Sequence, residues 1–404
     1  MNFISQYAQY KTTKITPYFI VKYPIIKIMI GSGGSEDIII HFGKKNTNLI
    51  VKVFIYELEP GEKHSKMATL NFEIKILQFL TKKFILTNRT PHLVGLFNHQ
   101  KSKNLSHLLN HTIKLKKECM TYEEKLTKKS NLSNTDHIIC NLRLKSKNKI
   151  IDSNYDMALL EYCDTNLGEI ISWYMNRLHR RPTLKLLNDF LYQLHRILFQ
   201  IIFTLAIIQD DYPGFCHDDL FCRNILISVA DTYNSDDYVE YHYHEQTFYL
   251  PANGFYAKIN DFGRSVIVNQ IDIDRYHPST LKWQHYYHQN PFNHKIDIFN
   301  LLHDMYYGQN LGSNSIMDLH SRLKLPSKFI KSIKQFFSDF IDVKTIDKIN
   351  QNNKDLLDDT WHIDNIPLLE RTVNVPTEYL IDNTLNVFTY RPQNAQVIKI
   401  FNKR

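Results

Sequence analysis

The chain has 404 residues, 43% of them apolar, which is enough for one large domain or two ordinary ones around a sizeable core and excludes global disorder. Five cysteines (Cys119, Cys140, Cys163, Cys216 and Cys222) in an odd set without CxxC spacing exclude a disulfide framework or a cysteine zinc site and fit a reducing compartment. The net charge of +8 sits in residues 101–150, which hold 12 Lys/Arg against 4 Asp/Glu, so the basic character belongs to one segment and not to the fold.

Residues 1–23 read as an N-terminal extension, and Met1 to Lys14 lacks an apolar core of signal-peptide length. β-branched runs bounded by Gly and Asn predict strands over Pro24–Ile30, Asp37–Phe42 and Asn48–Phe54, with Gly31-Ser32-Gly33-Gly34 and Gly43-Lys44-Lys45-Asn46 between them. Leu70, Ile74, Leu77, Phe79 and Leu80 give Ala68–Leu80 a helical period. His92–Phe97 suits a strand. Residues 98–150 are polar, basic and Ser/Asn-rich and read as an insertion. Met157–Tyr162 is again a strand, and a long amphipathic helix follows Pro182 from about Lys185 to Gln209. Its apolar run, Ile197 to Ile208, is interrupted by Gln200 and Thr204 and is too short to span a bilayer. Asn224–Ile227 and Tyr256–Asn260 are short strands on either side of an acidic, Tyr-rich excursion at about 230–252. Helices follow, notably Lys295–Tyr307 and Pro326–Ile341, and no internal repeat is present. A soluble intracellular protein is expected.

The chemistry concentrates in two short segments. His217-Asp218-Asp219-Leu220-Phe221-Cys222-Arg223-Asn224 places an Asp and an Asn five residues apart, and Asp261-Phe262-Gly263 begins 37 residues after that Asn. One carboxylate to take a hydroxyl proton, with an Asn and a second Asp as hard oxygen ligands for Mg²⁺, is the kit that phosphoryl transfer from MgATP needs. Lys52 lies mid-strand between apolar neighbours, where its charge is costly unless paired. Glu73 is the one acid of the predicted helix Ala68–Leu80 and is the candidate partner.

These segments resemble the eukaryotic-type protein kinase family, over about Ile28 to Tyr307. The form Tyr256-Ala257-Lys258-Ile259-Asn260-Asp261-Phe262-Gly263-Arg264-Ser265 looks most like the divergent Ser/Thr kinases of large nucleocytoplasmic DNA viruses. The resemblance implies an α+β, two-lobed kinase-like fold. Residues 24–161 would form a β-rich lobe carrying the basic insertion, and residues 162–404 a mainly helical lobe with an insertion at about 230–252. ATP and Mg²⁺ follow as ligands. Gly31, Ser32, Gly33 and Gly34 would cradle phosphates, although Glu36 stands where a third glycine is expected. Lys52 and Glu73 would form the phosphate-positioning pair. Leu160 would border the adenine, with Glu161 to Cys163 as the hinge. Asp219 would be the catalytic base, Asn224 and Asp261 the metal ligands, and Asp297 the helix acid that holds the catalytic-loop backbone.

Three departures bear on specificity. Asp218 replaces the Arg that pairs with a phosphorylated activation loop, so no such requirement is expected. Phe221 replaces the Lys typical of Ser/Thr kinases, and Arg223 could supply that cation. No Ala-Pro-Glu motif stands between Gly263 and Asp297. The expected reaction is γ-phosphate transfer to a protein hydroxyl, Ser/Thr before Tyr. A pseudokinase scaffold and a small-molecule phosphotransferase of the same fold are the alternatives. The 101–150 segment is open to an acidic partner, nucleic acid or an anionic membrane. His277, His285, His288 and His294 match no zinc spacing. If viral, the protein would work in host cytoplasm or virion. Substrate identity and oligomeric state are not legible.

Overall fold

Short, near-continuous runs of Ile, Val, Leu and Phe recur in the first part of the chain, and such runs form buried strands. A computed structural model describes residues 3–12, 25–30, 38–44, 47–57, 73–103, 151–267, 295–308, 315–344 and 373–402. These fall into two compact units. One spans Met1–Gln78 and Gly95–Tyr162; the other includes Phe79–Val94 and the chain from Cys163 onward.

The first unit is β-rich. β1 (Ile25–Ile30), β2 (Ile38–Lys44), β3 (Thr47–Glu57), β4 (Leu96–Ser102) and β5 (Ile151–Glu161) form a five-stranded antiparallel sheet of order β1-β2-β3-β5-β4. On β3, Leu49, Val51, Val53 and Ile55 are buried, and alternation sends Lys52 to the opposite face. α1 (Phe3–Tyr10) sets Tyr10 edge-on against Phe97, centroids 5.6 Å apart. α2, over 73–80, continues into a π-helical turn at Thr81–Ile85.

Several element ends differ from expectation. Gly43 and Lys44 do not turn; they extend β2 and pair with Asn48 and Thr47. His92–Phe97 is not one strand. Leu93 makes only an isolated bridge to Ile259, and β4 starts at Leu96 and runs to Ser102. The residues expected to open the insertion, 98–102, are therefore ladder residues. Of that insertion, 104–150 lie outside the described residues.

The second unit is built on a buried helix. α3 (Leu167–Arg180) and α4 (Leu184–Asp211) start at Asn166 and Thr183, whose side chains accept the N–H groups of Glu169 at 3.0 Å and Leu186 at 3.2 Å. Every residue from Arg196 to Gln209 of α4 is buried. A helix apolar on all sides is a core or membrane helix, and among the described residues α4 alone is long and apolar enough to cross a bilayer. Here 78% of its most apolar stretch is inside the protein. Two of its polar residues reach backbone partners inside that core. Gln200 donates to the Phe255 carbonyl at 2.9 Å and accepts the Ala257 N–H at 2.7 Å. Arg196 donates to Pro251 O at 2.7 Å and to Asn253 O.

Around α4 lie short sheets. β6 (Thr165–Asn166), β8 (Ile225–Ala230) and β11 (Gly254–Ile259) form one in the order β11-β8-β6; β7 (Phe215–Cys216) pairs with β12 (Val266–Ile267). The segment expected as an irregular excursion at 230–252 is mostly a hairpin, β9 (Asp237–Tyr243) with β10 (Gln246–Pro251). β13 (Gln396–Phe401) completes its sheet by running parallel to β9. α5 (Lys295–Tyr306), α6 (Ile316–Leu323), α7 (Ser327–Ser338) and α8 (Pro376–Ile381) are the other α-helices among this unit's described residues.

Candidate active site

Each half of the candidate machinery is built within its own unit. In the second unit the loop after β7 is anchored from below by α5. Asp297, in the first turn of that helix and 1% exposed, accepts the His217 N–H at 2.8 Å and the Asp218 N–H at 3.0 Å. Asp218 adopts a left-handed backbone (φ 61°), the kind of turn that lets successive N–H groups converge on one anion. One heptad further along α5, Asp304 accepts the Cys222 N–H at 2.7 Å. Two carboxylates on one helix face thus fix both ends of the loop.

The loop is also tied to the Asp-Phe-Gly segment. His217 Nε2 donates to the Asn260 carbonyl at 3.0 Å, and its Nδ1 faces the Asp219 N–H at 3.3 Å. A carbonyl only accepts, so the ring proton sits on Nε2. Asn260 N–H donates to the Asn224 carbonyl at 2.9 Å, Ser265 Oγ donates to the His217 carbonyl at 3.1 Å, and the Phe262 ring lies 5.0 Å from that of His217.

Asp219 is 8% exposed and its carboxylate is oriented from two sides. Arg223 Nη2 reaches its two oxygens at 2.9 and 3.1 Å, and Asn224 Nδ2 reaches Oδ2 at 2.7 Å. Asn224 Nδ2 also donates to the Asp219 carbonyl at 2.8 Å, so its amide nitrogen is spent and its Oδ1 is the remaining ligand atom. Arg223 lies over the Phe221 ring, 4.8 Å from its centroid. The aromatic residue that replaces a lysine therefore supports the cation. Asp261 is left-handed too (φ 64°) and starts the 3₁₀ turn Phe262–Arg264. Among the described residues its carboxylate accepts no hydrogen bond. Burial and the Asp304 carboxylate push the Cys222 thiol well up, which removes it as a nucleophile.

In the first unit Lys52 Nζ meets both oxygens of Glu73, at 2.8 and 3.0 Å, with the two side chains 14% and 5% exposed. Leu160 is buried opposite Ile50. Glu161 donates its N–H to Gly95 O at 3.0 Å and accepts the Gly95 N–H on Oε2 at 3.3 Å. Cys163, at the start of the second unit's main stretch, is half-buried and in no disulfide. Gly31, Ser32, Gly33 and Gly34 lie outside the described residues, as do His277, His285, His288 and His294.

The structure thus joins Lys52 to Glu73, and Asp219 to Arg223 and Asn224. Asp304 is the member that sequence reasoning missed. Its signal was present: two acids seven residues apart on a helix otherwise rich in Ile, Phe and Leu. No cluster of three or more metal-ligating His, Cys, Asp or Glu side chains occurs among the described residues.

Comparison with known proteins decides the family. A protein of Acanthamoeba polyphaga mimivirus named "Putative serine/threonine-protein kinase" is 44% identical over 375 residues, 92% of this chain and 91% of its own length. The chain belongs to the protein kinase family, among its divergent viral members. A second mimivirus protein of the same designation is 26% identical over 244 residues, 59% of this kinase-family chain and 46% of that protein. No family model matches. A crystal structure of a kinase domain aligns over 62% of this chain and 53% of its own, at 14% identity and a TM-score of 0.28, too low to bear on the argument. The α+β make-up of the two units, one a single antiparallel sheet and the other built on helices, is that of the kinase fold.

Proposed function

We propose that this chain is an active, ATP-dependent protein kinase that transfers the γ-phosphate to Ser or Thr hydroxyls. The observation that carries the reading is the orientation of Asp219 by Arg223 and Asn224, with the oxygens of Asn224 and Asp261 left for a cation. The donor set fits Mg²⁺, which takes few protein oxygens and shares its remaining positions with phosphates and water. When bound, Mg²⁺ neutralises charge that develops on the transferring phosphoryl group.

The chain's own residues have separable roles in this reading. Lys52, fixed by Glu73, binds phosphate oxygens of the nucleotide; Gly31 to Gly34 contribute backbone N–H groups; Leu160, Glu161 and Cys163 border the adenine. Asp219 accepts a hydrogen bond from the substrate hydroxyl and aims its oxygen at the γ-phosphorus. A new O–P bond forms, the bond to the β–γ bridging oxygen breaks, and the hydroxyl proton passes to Asp219. Arg223 keeps that carboxylate in one rotamer and supplies the cation that a Ser/Thr kinase places beside the reacting hydroxyl. Residues 24–161 and 162–404 act as the two lobes, and the reaction takes place in a soluble, intracellular setting.

The test is transfer of γ-phosphate from MgATP to a mixed protein substrate, beside an Asp219→Asn control. Transfer that disappears in the control, with phosphoserine or phosphothreonine recovered on hydrolysis, supports the proposal. A folded chain that binds MgATP and transfers nothing overturns it in favour of a scaffold or a small-molecule phosphotransferase.

A further inference from the structure

The connection between α3 and α4, away from every residue assigned a role above, borders a half-open concavity of about 610 Å³ lined by Arg177, Arg180, Arg181, Thr183, Lys185, Leu186 and Asp189. Four cations and one carboxylate line it. Among the described residues none of Arg177, Arg180, Arg181 and Lys185 forms an ion pair. Asp189 is already engaged, accepting the Tyr174 hydroxyl at 2.7 Å. Four like charges around one hollow that holds a single carboxylate repel one another, and an anion in the hollow relieves that repulsion.

The shape and composition of the hollow select among anions. Three of the four cations are arginines, whose planar forks match phosphate oxygens in bidentate fashion. The volume falls within the 300–1,000 Å³ typical of sites for small ligands, and suits one phosphorylated side chain with its immediate flanks. Single-stranded nucleic acid calls for aromatic stacking platforms, and among the described residues no aromatic side chain lines the hollow. The nearby Trp173 has the Arg177 guanidinium over its ring at 4.5 Å. Thr183 is committed to capping α4 through the Leu186 N–H, so the arginines and Lys185 carry the recognition.

We propose that this hollow is a docking site for a phosphoserine or phosphothreonine on a partner polypeptide. The site goes beyond the phosphoryl-transfer reading and does not depend on it. Binding can be measured whether or not the chain turns over.

The experiment uses the full chain and fluorescein-labelled peptides with a central phosphoserine or phosphothreonine and neutral flanks, followed by fluorescence anisotropy at about 0.1 M salt, where exposed charges are screened beyond roughly 10 Å. Unphosphorylated twins, single-stranded RNA and phosphatidylserine vesicles form the other arms. The expected result is affinity at least tenfold higher for the phosphorylated peptide, and a loss of at least tenfold in an Arg180→Glu/Arg181→Glu variant. Both arginines are exposed, and an unchanged melting curve shows that the variant folds. An Arg180→Lys/Arg181→Lys variant keeps the charge and loses the fork, so its affinity should fall between the two. Equal binding of both peptides overturns the proposal, as does phosphopeptide binding that the charge reversal leaves intact. Tighter binding of RNA or vesicles, abolished by the same reversal, also overturns it and reassigns the hollow.

Discussion

Asp297 grips His217 through the backbone: its buried Oδ2 accepts the His217 N–H at 2.8 Å, while Oδ1 takes the neighbouring N–H of Asp218 at 3.0 Å. The pairing joins the first turn of α5 to the turn after β7, and it is what sustains a left-handed Asp218 immediately before Asp219. Asp297, which the family resemblance implies as the helix acid under the catalytic-loop backbone, makes those hydrogen bonds and is the floor of the candidate active site.

Replacing Asp297 by Ala should cost about 2–4 kcal/mol of stability, because it strands two backbone donors away from water. Asn, which keeps one acceptor, should cost less. If the kinase reading holds, both variants should lose turnover by more than tenfold while keeping MgATP affinity. Urea unfolding and steady-state assays measure the two effects.

The Lys52–Glu73 pair is mostly buried, so single substitutions should hurt more than the double one. Glu73→Gln and Lys52→Met each leave a charge without its partner. The double variant should recover a coupling energy of roughly 1–3 kcal/mol. A double-mutant cycle in urea measures it, and additivity would show that the pair contributes nothing.

Asp156 on β5 is held by His99 Nε2 at 2.7 Å, and burial pushes its carboxyl up to about 6. Burial, then Lys101, lowers His99. A raised carboxyl means that the folded state holds the proton more tightly between its ordinary value of 3.8 and about 6. Its contribution is complete below that window and is lost as pH rises through it. His99 works in the opposite direction, losing stability as pH falls below 6.5. Asp156→Asn removes the first effect. Its stability relative to the parent chain should rise by about 2 kcal/mol between pH 4 and 7, read from urea midpoints.

Gly254 should not tolerate alanine. It has φ +107°, and a Cβ there would lie 2.6 Å from Arg196 Nη1, a side chain fixed by Pro251 and Asn253 carbonyls inside the core. Strain and overpacking together should cost roughly 2–4 kcal/mol. A melting temperature within a degree of the parent's would refute this.

Much of the candidate site could be read from spacing because its residues sit on short segments, where sequence distance fixes geometry. Asp219, Arg223 and Asn224 meet within one turn. Lys52 and Glu73 could be paired because a charge in an apolar strand needs a partner. The β9–β10 hairpin carried its signal as well: Val239, Tyr241 and Tyr243 alternate with Glu240 and His242, the period of a strand. Tyr241 packs against Phe199 and Phe203 of α4 at 5.3 and 5.0 Å, and Glu240 and His242 pair with each other at 2.6 Å. The acidic, Tyr-rich composition of the segment masked that alternation. α3 is different: its buried Leu167, Ile170, Ile171, Tyr174, Met175 and Leu178 keep a plain helical period, and the predicted elements simply leave it out.

The parallel pairing of β13 with β9 also sets an order of events during synthesis. β9 and β10 can zip together as soon as Pro251 has been made, but the strand that covers the other edge of β9 begins only at Gln396. Until then a growing chain carries a bare row of N–H and C=O groups along Asp237 to Tyr241, a template onto which another nascent copy can pair. Ribosome-bound or prematurely terminated chains should therefore be the sticky species, and the finished protein should be far less prone to self-association through that edge.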